Sequence, residues 1–314
     1  MDRDKESYIS IKKSQAVHYI ATPLYIKNGS GELILYKPEN KKIDSSRFFD
    51  EGFPQLFIAS SSHESAKNEL EIQLKKKLKH ELKNGNLNII KSALCEIVQE
   101  AMKEPLEENL KTIAETIEIM YSEYSSTKNL LKNYIDTISG ETSLIDHSVD
   151  VMVLTLNYCL FSHFSENDTK RISLCALLHD VGLTQIPKDI AGASRRLTER
   201  EFIVYKTHAA IGHDIIKQSG SIDPSIATGV LEHHERLDGN GYPRGIANLS
   251  FEGRLIGLID SFDNLVSSEK AHRKKKKPFD AMLTIQNEML KEAKFDKKIF
   301  KEFCLSLSDK FRLD

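Results

Sequence analysis

The sequence has no excess of either charge. Its 44 Lys+Arg against 46 Asp+Glu leave a formal net charge of −2 over 314 residues. There is thus no global basic field for nucleic acid, and no acidic surplus of the kind that keeps a chain disordered. Cysteine is scarce. The four present (Cys95, Cys159, Cys175 and Cys304) are scattered and form no CxxC pair. That disfavours a disulfide scaffold and argues for a reduced, cytoplasmic chain. The opening residues, MDRDKESYISIKK, lack the apolar stretch of a signal peptide. The longest apolar run, Val151–Phe161, is interrupted by Thr155, Asn157 and Tyr158 and is too short to span a bilayer. Neither DNA nor a membrane is an expected partner. Apolar material is not lacking: 40% of residues are hydrophobic, enough for a sizeable core. The length corresponds to two domains of about 100–200 residues each.

The first 66 residues read as a small α/β module. HYIATPLYI and GELILYK flank the turn signal KNGSG, and a third short run, PQLFIA, follows Gly52. Residues 67–122 form a helical connecting region. Its lysine- and glutamate-rich opening, NELEIQLKKKLKHELK, has leucines along one face and reads as a solvated helix. No aromatic residues interleave the lysines, which argues against a nucleic-acid patch. Residues 123–314 are all-helical. Val149, Met152, Val153, Leu156, Leu160 and Phe164 fall on one face of a helix starting near Val149, headed by His147. Thr198 and Glu201 form a capping box opening EFIVYKTHAAIGHDIIKQ, which Gly220 terminates. Asp223-Pro224 opens the next helix, and Ser250 the one after.

Against this apolar background several polar residues do not belong. His179 shares a face with Ile172, Cys175 and Ala176, and Asp180 follows it. His208 lies on the capped helix, and His233 and His234 continue the apolar faces of the helix after Pro224. Asp260 interrupts LIGLIDSF, where an unpaired buried carboxylate costs several kcal/mol. Singly, each has an ordinary reading as a satisfied core residue. His213-Asp214, a second HD pair, shows how readily that dipeptide arises. Together, five histidines and two aspartates on the inner faces of successive helices supply the ligand set for Fe, Mn or Zn. A bound cation removes their burial penalty.

The order His147, His179-Asp180, His208, His233-His234, Asp260, with the segment HHERLDGNGYP, resembles the HD-GYP family of the HD phosphohydrolase superfamily. The resemblance runs from about Glu123 to the C-terminus. It implies a mainly α fold, with a C-terminal HD-type helical bundle behind the small N-terminal α/β domain. It also implies a metal-dependent bacterial phosphodiesterase for cyclic di-GMP or a related cyclic dinucleotide. By the family pattern one metal is held by His147, His179, Asp180 and Asp260, the other by Asp180, His208, His233 and His234. Asp180 bridges them at the catalytic centre. The ions would be iron, with manganese as the alternative. The DGNGYPRG loop, Asp238–Gly245, borders the pocket, and Tyr242 and Arg244 are its substrate contacts. The loop is also a candidate surface for a protein partner, and family members often pair as homodimers through their helices.

Three departures from the family pattern set further expectations. Active members commonly read HDxGK, with the lysine on a substrate phosphate; here Leu183 stands in its place and carries no charge. After Asp260, Glu269 falls where a phosphate-binding arginine is expected, leaving Lys270, Arg273 and Lys274–Lys277 as substitutes. Ser143 occupies the position where some members use a glutamate for a third metal, so two metals are expected. The metal core is complete and the substrate layer is weakened. Slow turnover follows, or alternatively a metal- and nucleotide-binding signalling module with little turnover.

Overall fold

The structure, a computed structural model, describes residues 7–44, 46, 48, 52–103, 105, 107–124, 134, 143–220, 222–267 and 274–307. The chain divides into two compact units, 1–78 and 79–314.

In the first unit, strands β1 (Tyr8–Ile11), β2 (Leu24–Lys27), β3 (Leu33–Lys37) and β4 (Leu56–Ala59) pair antiparallel in the order β1-β4-β2-β3. The KNGSG signal closes the β2–β3 hairpin. Asn28 Oδ1 accepts from the amides of Ser30 and Glu32, while Gly31 takes φ 84°. Only the end of HYIATPLYI is a strand. Short helix α1 (Lys13–Ala16) precedes it, and the stretch before Leu24 is held as turns by the Glu69 carboxylate. That carboxylate accepts from the amides of Ile20, Ala21 and Thr22. Glu69 sits on α2 (His63–Asn84), where Ala66, Leu70, Leu74, Leu78 and Leu82 recur every fourth residue and are all buried. Lys76, Lys79 and Lys83 between them are exposed, as a solvated helix face requires.

The second unit is built around α5 (Leu144–Phe161), packed by α3 (Leu87–Ala101), α6 (Glu166–Leu178), α11 (Phe251–Ser267) and α13 (Lys297–Leu307). Helix α4 (Glu107–Tyr124) lies on α6. Two of the three helices in the expected connecting region, α3 and α4, pack into the bundle. Every residue from Ser148 to Cys159 is buried, so α5 is enclosed all round instead of burying one stripe. Its length and hydropathy would suffice to cross a bilayer, and burial in the bundle accounts for both. It starts at Leu144, five residues before the expected Val149. The cause is local: Ser143 Oγ accepts from the Asp146 amide at 3.1 Å, and the Asp146 carboxylate returns a bond to the Ser143 amide. Ser143 is thus a helix cap, and His147 lies inside the helix.

The capping box of Thr198 and Glu201 is present, but the expected single helix breaks at Thr207 into α8 (Glu199–Lys206) and α9 (His208–Ser219). Short α7 (Lys188–Ala191) precedes them. The Thr207 hydroxyl bonds back to the Val204 carbonyl at the break. Gly220 ends α9 at φ 67°. Asp223 caps α10 (Pro224–Glu232) with Pro224 in its first turn, and Ser250 Oγ accepts from the Gly253 amide at the start of α11. Helix α12 (Pro278–Glu292) packs on α11.

Candidate metal centre

Two glycines let the ligand-bearing elements meet. Gly182 follows Asp180 in a 3-10 turn, Val181–Gln185, and a Cβ there would lie 2.0 Å from the His208 carbonyl oxygen. Gly257 on α11 faces the end of α10, where a Cβ would lie 2.4 Å from the His233 carbonyl oxygen. No side chain fits either contact. Backbone approach at Gly182 brings His179-Asp180 beside His208. Backbone approach at Gly257 brings Asp260, one turn later, beside His233 and His234.

The histidines are oriented by a repeated local device. His179 Nδ1 donates to Ala176 O at 2.7 Å, His208 Nδ1 to Tyr205 O at 2.7 Å, and His233 Nδ1 to Val230 O at 2.6 Å. In each case the acceptor lies three residues earlier, so each ring is fixed by the turn that precedes it. His147 uses a carboxylate instead: its Nδ1 lies 2.6 Å from Asp263 Oδ2. With Nδ1 carrying the proton, the Nε2 of each of these four rings presents a lone pair to the interior, which is the tautomer a metal ligand needs.

Those lone pairs converge. His208 and His233 Nε2 are 3.3 Å apart, as are His147 and His179 Nε2. Two acceptors at that distance repel unless a cation stands between them. Asp180 Oδ1 lies 3.3 Å from His208 Nε2 and 3.7 Å from His233 Nε2, while its Oδ2 lies 3.4 Å from His179 Nε2. Asp180 Oδ1 and His234 Nε2 are buried without a hydrogen-bond partner. Asp260 reaches His147 Nε2 at 3.1 Å and His234 Nδ1 at 3.8 Å. Two ligand groups result: Asp180, His208, His233 and His234, and His147, His179 and Asp180, with Asp180 common to both.

The electrostatics agree with the geometry. Burial opposes ionisation of Asp180, but the His179 imidazole and the close-set rings of His208 and His233 hold its pKa well below the carboxylate range. Burial and the neighbouring His233 keep His234 well below the ordinary imidazole value, hence neutral. For His147, burial is outweighed by hydrogen bonds to Asp260 and Asp263, which raise its pKa. The carboxylates thus demand positive charge inside a buried pocket. The residues present fit a bound metal cation, since imidazole and carboxylate are common metal donors.

All seven sequence-predicted ligands meet here. His213-Asp214 does not: its two side chains pair with each other at 2.9 Å, and Asp214 is exposed. Tyr242 packs its ring on His234 at 4.6 Å between centroids and donates its amide to the His234 carbonyl. Arg244 is paired with Glu232. Asp238 holds the loop turn through the Asn240 amide. Leu183 is buried in the 3-10 turn. Glu269, Lys270 and Arg273 lie outside the described residues, and Lys274, Lys275 and Lys277 are exposed.

Two functional positions escaped the sequence reading. Asp263, fully buried, orients His147; its signal was a second aspartate three residues after Asp260. Glu235 accepts from the amides of Arg244, Gly245 and Ile246 and so pins the DGNGYPRG loop beneath itself. Its signal was the acid directly after the paired histidines. Below the site, Asp150 is buried against Lys91 Nζ at 2.7 Å and the Tyr134 hydroxyl at 2.8 Å.

The sequence profile of the HD domain family matches residues 125–299, more than half of the chain. The chain belongs to that family, and HHERLDGNGYP places it in the HD-GYP branch. It is 35% identical over 170 residues to the cyclic di-GMP phosphodiesterase PdeB of Borreliella burgdorferi, covering 52% of this chain and 43% of that protein. It is 34% identical over 149 residues to the 3'3'-cGAMP-specific phosphodiesterase 3 of Vibrio cholerae, covering 47% of this chain and 32% of that protein. The chain thus spans less than half the length of these curated relatives. Among solved structures it shares its fold with Bd1817, an HDG"Y"P protein from Bdellovibrio bacteriovorus. The TM-score is 0.67 at 16% identity, over 95% of this chain and 98% of that one.

Proposed function

We propose that the chain is a metal-dependent phosphodiesterase that hydrolyses cyclic di-GMP or a related cyclic dinucleotide at a two-metal centre. The observation that carries this reading is the set of converging Nε2 lone pairs around Asp180, each fixed by a bond at Nδ1. His147, His179, Asp180 and Asp260 would hold one ion, and Asp180, His208, His233 and His234 the other. Iron is the first choice and manganese the alternative, because mixed imidazole–carboxylate sets favour such ions over magnesium. The bound ions supply the Lewis acidity that makes water a nucleophile at neutral pH and neutralises the attacked phosphate. Asp180 keeps the two ligand sets at one carboxylate. Asp263 holds the His147 ring, and Tyr242 walls the His234 side against water. The relatives' names, covering both cyclic di-GMP and 3'3'-cGAMP, support the substrate class. Four free thiols accord with a reducing, cytoplasmic setting.

A second reading rests on Leu183. An apolar side chain buried where the family places a lysine removes one phosphate contact, which favours slow turnover or a signalling module that holds nucleotide. In that case the loop pinned by Glu235 is the surface for a protein partner. Elemental analysis of anaerobically purified protein, alongside turnover of cyclic di-GMP and of bis(4-nitrophenyl) phosphate, separates the readings. About two metals per chain with cleavage of both substrates supports the phosphodiesterase. Metal without cleavage of either supports the module. Less than about one metal per chain after reconstitution overturns the centre itself.

A further inference from the structure

Helix α8 ends two residues before His208 and exposes an apolar run: Phe202 at 45%, Ile203 at 61% and Val204 at 38%. A contiguous exposed apolar run beside a buried polar site is the kind of surface that marks a binding edge. The Phe202 ring lies nearly parallel to Tyr205, 12° between planes and 6.4 Å between centroids, and meets Tyr242 edge-on at 6.1 Å. Tyr205 in turn lies 5.0 Å from the His208 ring, and Tyr242 lies 4.6 Å from His234. An aromatic rim therefore continues directly from the imidazoles of one ligand group to the surface.

Lys206 sits on that rim. Its Nζ is 5.3 Å from the Phe202 centroid and 5.9 Å from the Tyr242 centroid. Cation–π contact holds the ammonium in place without neutralising it. Lys206 makes no ion pair among the described residues, whereas Arg244 is paired with Glu232 and Arg195 with Glu201. A cyclic dinucleotide carries two phosphodiesters. Metal held by the buried ligands would neutralise the one that is cleaved, and the apolar Leu183 side chain offers no charge to the other.

We propose that Lys206 and Phe202 form the subsite for the half of the substrate not held by the metals, with Lys206 on the second phosphate and Phe202 against a purine face. This rests on the cyclic-dinucleotide reading above. Lys206 approaches from α8 and so replaces the missing lysine of the HDVGL turn from a different element. Phe202 offers a face that any base can stack on.

The test uses the metal-loaded full chain with Lys206→Met, Lys206→Arg and Phe202→Ala, each first matched to wild type in metal content. Steady-state kinetics are run on cyclic di-GMP and on bis(4-nitrophenyl) phosphate, which has one phosphate and no base. Lys206→Met is expected to raise KM for cyclic di-GMP by about tenfold more than KM for the small diester. Lys206→Arg restores most of the difference, and Phe202→Ala reproduces it in part. Equal changes on both substrates, or a Lys206→Met variant indistinguishable from wild type on cyclic di-GMP, overturn the subsite and leave the phosphodiesterase reading intact. Wild-type protein that cleaves the small diester but neither binds nor cleaves a cyclic dinucleotide overturns the substrate reading, and this subsite with it.

Discussion

The floor of the site and its rim are built by different rules. On the floor, His179, His208 and His233 are oriented by short bonds to carbonyls three residues earlier, and His147 by the buried Asp263 carboxylate. His179, His208 and His233 are fully buried there. On the rim, the side chains of Phe202, Lys206 and Tyr242 stand partly exposed and meet one another through ring and cation–π contacts. A floor of buried charge leaves little freedom, because one lost partner strands the rest in low dielectric. A solvated rim tolerates exchange.

The comparison is broken most severely at Asp180. Asp180→Ala is expected to lose most of both metals, whereas His147→Ala and His208→Ala each lose about one. Elemental analysis of the three variants reads this directly, and equal losses would mean that Asp180 does not join the two ligand sets. The Asp180 variant should also melt lowest, since a metal that binds only the native state stabilises it.

Next comes Gly182→Ala. A Cβ 2.0 Å from the His208 carbonyl must push the HD turn away from α9, at about 2–4 kcal/mol. Denaturant unfolding measures the loss. A cost below about 0.5 kcal/mol would show that the two backbones are not pressed together as described.

A pH effect of intermediate size belongs to the layer under the floor. Burial and the charge of Asp263 push the Asp150 carboxyl up to about 7, against the help of Lys91 and Tyr134. Its folded pKa is raised, so the metal-free protein keeps a proton that the unfolded chain releases above about pH 3.9. Stability is then greatest at the acid end of that window, falls as pH rises through about 7, and levels off above. The expected fall is on the order of a few kcal/mol. Asp150→Asn should flatten it, and an unchanged slope in that variant would assign the proton elsewhere.

The smallest effect is expected on the loop. Asp238→Ala removes two bonds from Asn240, from its backbone and side-chain amides, on a solvated surface, together worth about 1 kcal/mol. Thermal melting should shift by a few degrees at most, with metal content intact. A loss of metal in this variant would join rim to floor and erase the distinction drawn between them.

Much of the floor was legible in the sequence because burying a polar residue demands a reason. Histidines and aspartates on apolar helix faces announce themselves by their neighbours. The caps at Thr198, Asp223 and Gly220 were legible for a similar reason, since they act over three or four residues. Periodicity did less well on α5. It gave one buried stripe and a start near Val149, but a helix enclosed by four others has no outer face, and its start is set by Ser143 and Asp146. The break at Thr207 was hidden too, because the residues on both sides are good helix formers.

By itself the sequence determined the candidate ligand set, the helical class of the second unit and the apolar Leu183 of the HDVGL turn, all properties of residue type and local spacing. The tertiary structure alone decided that Gly182 and Gly257 are contact points, that Asp263 steers His147, and that Lys206 stands beside Tyr242. These depend on which helices approach, at what distance and with which rings turned inward. Such contacts join residues far apart in the chain, and local spacing carries no record of them.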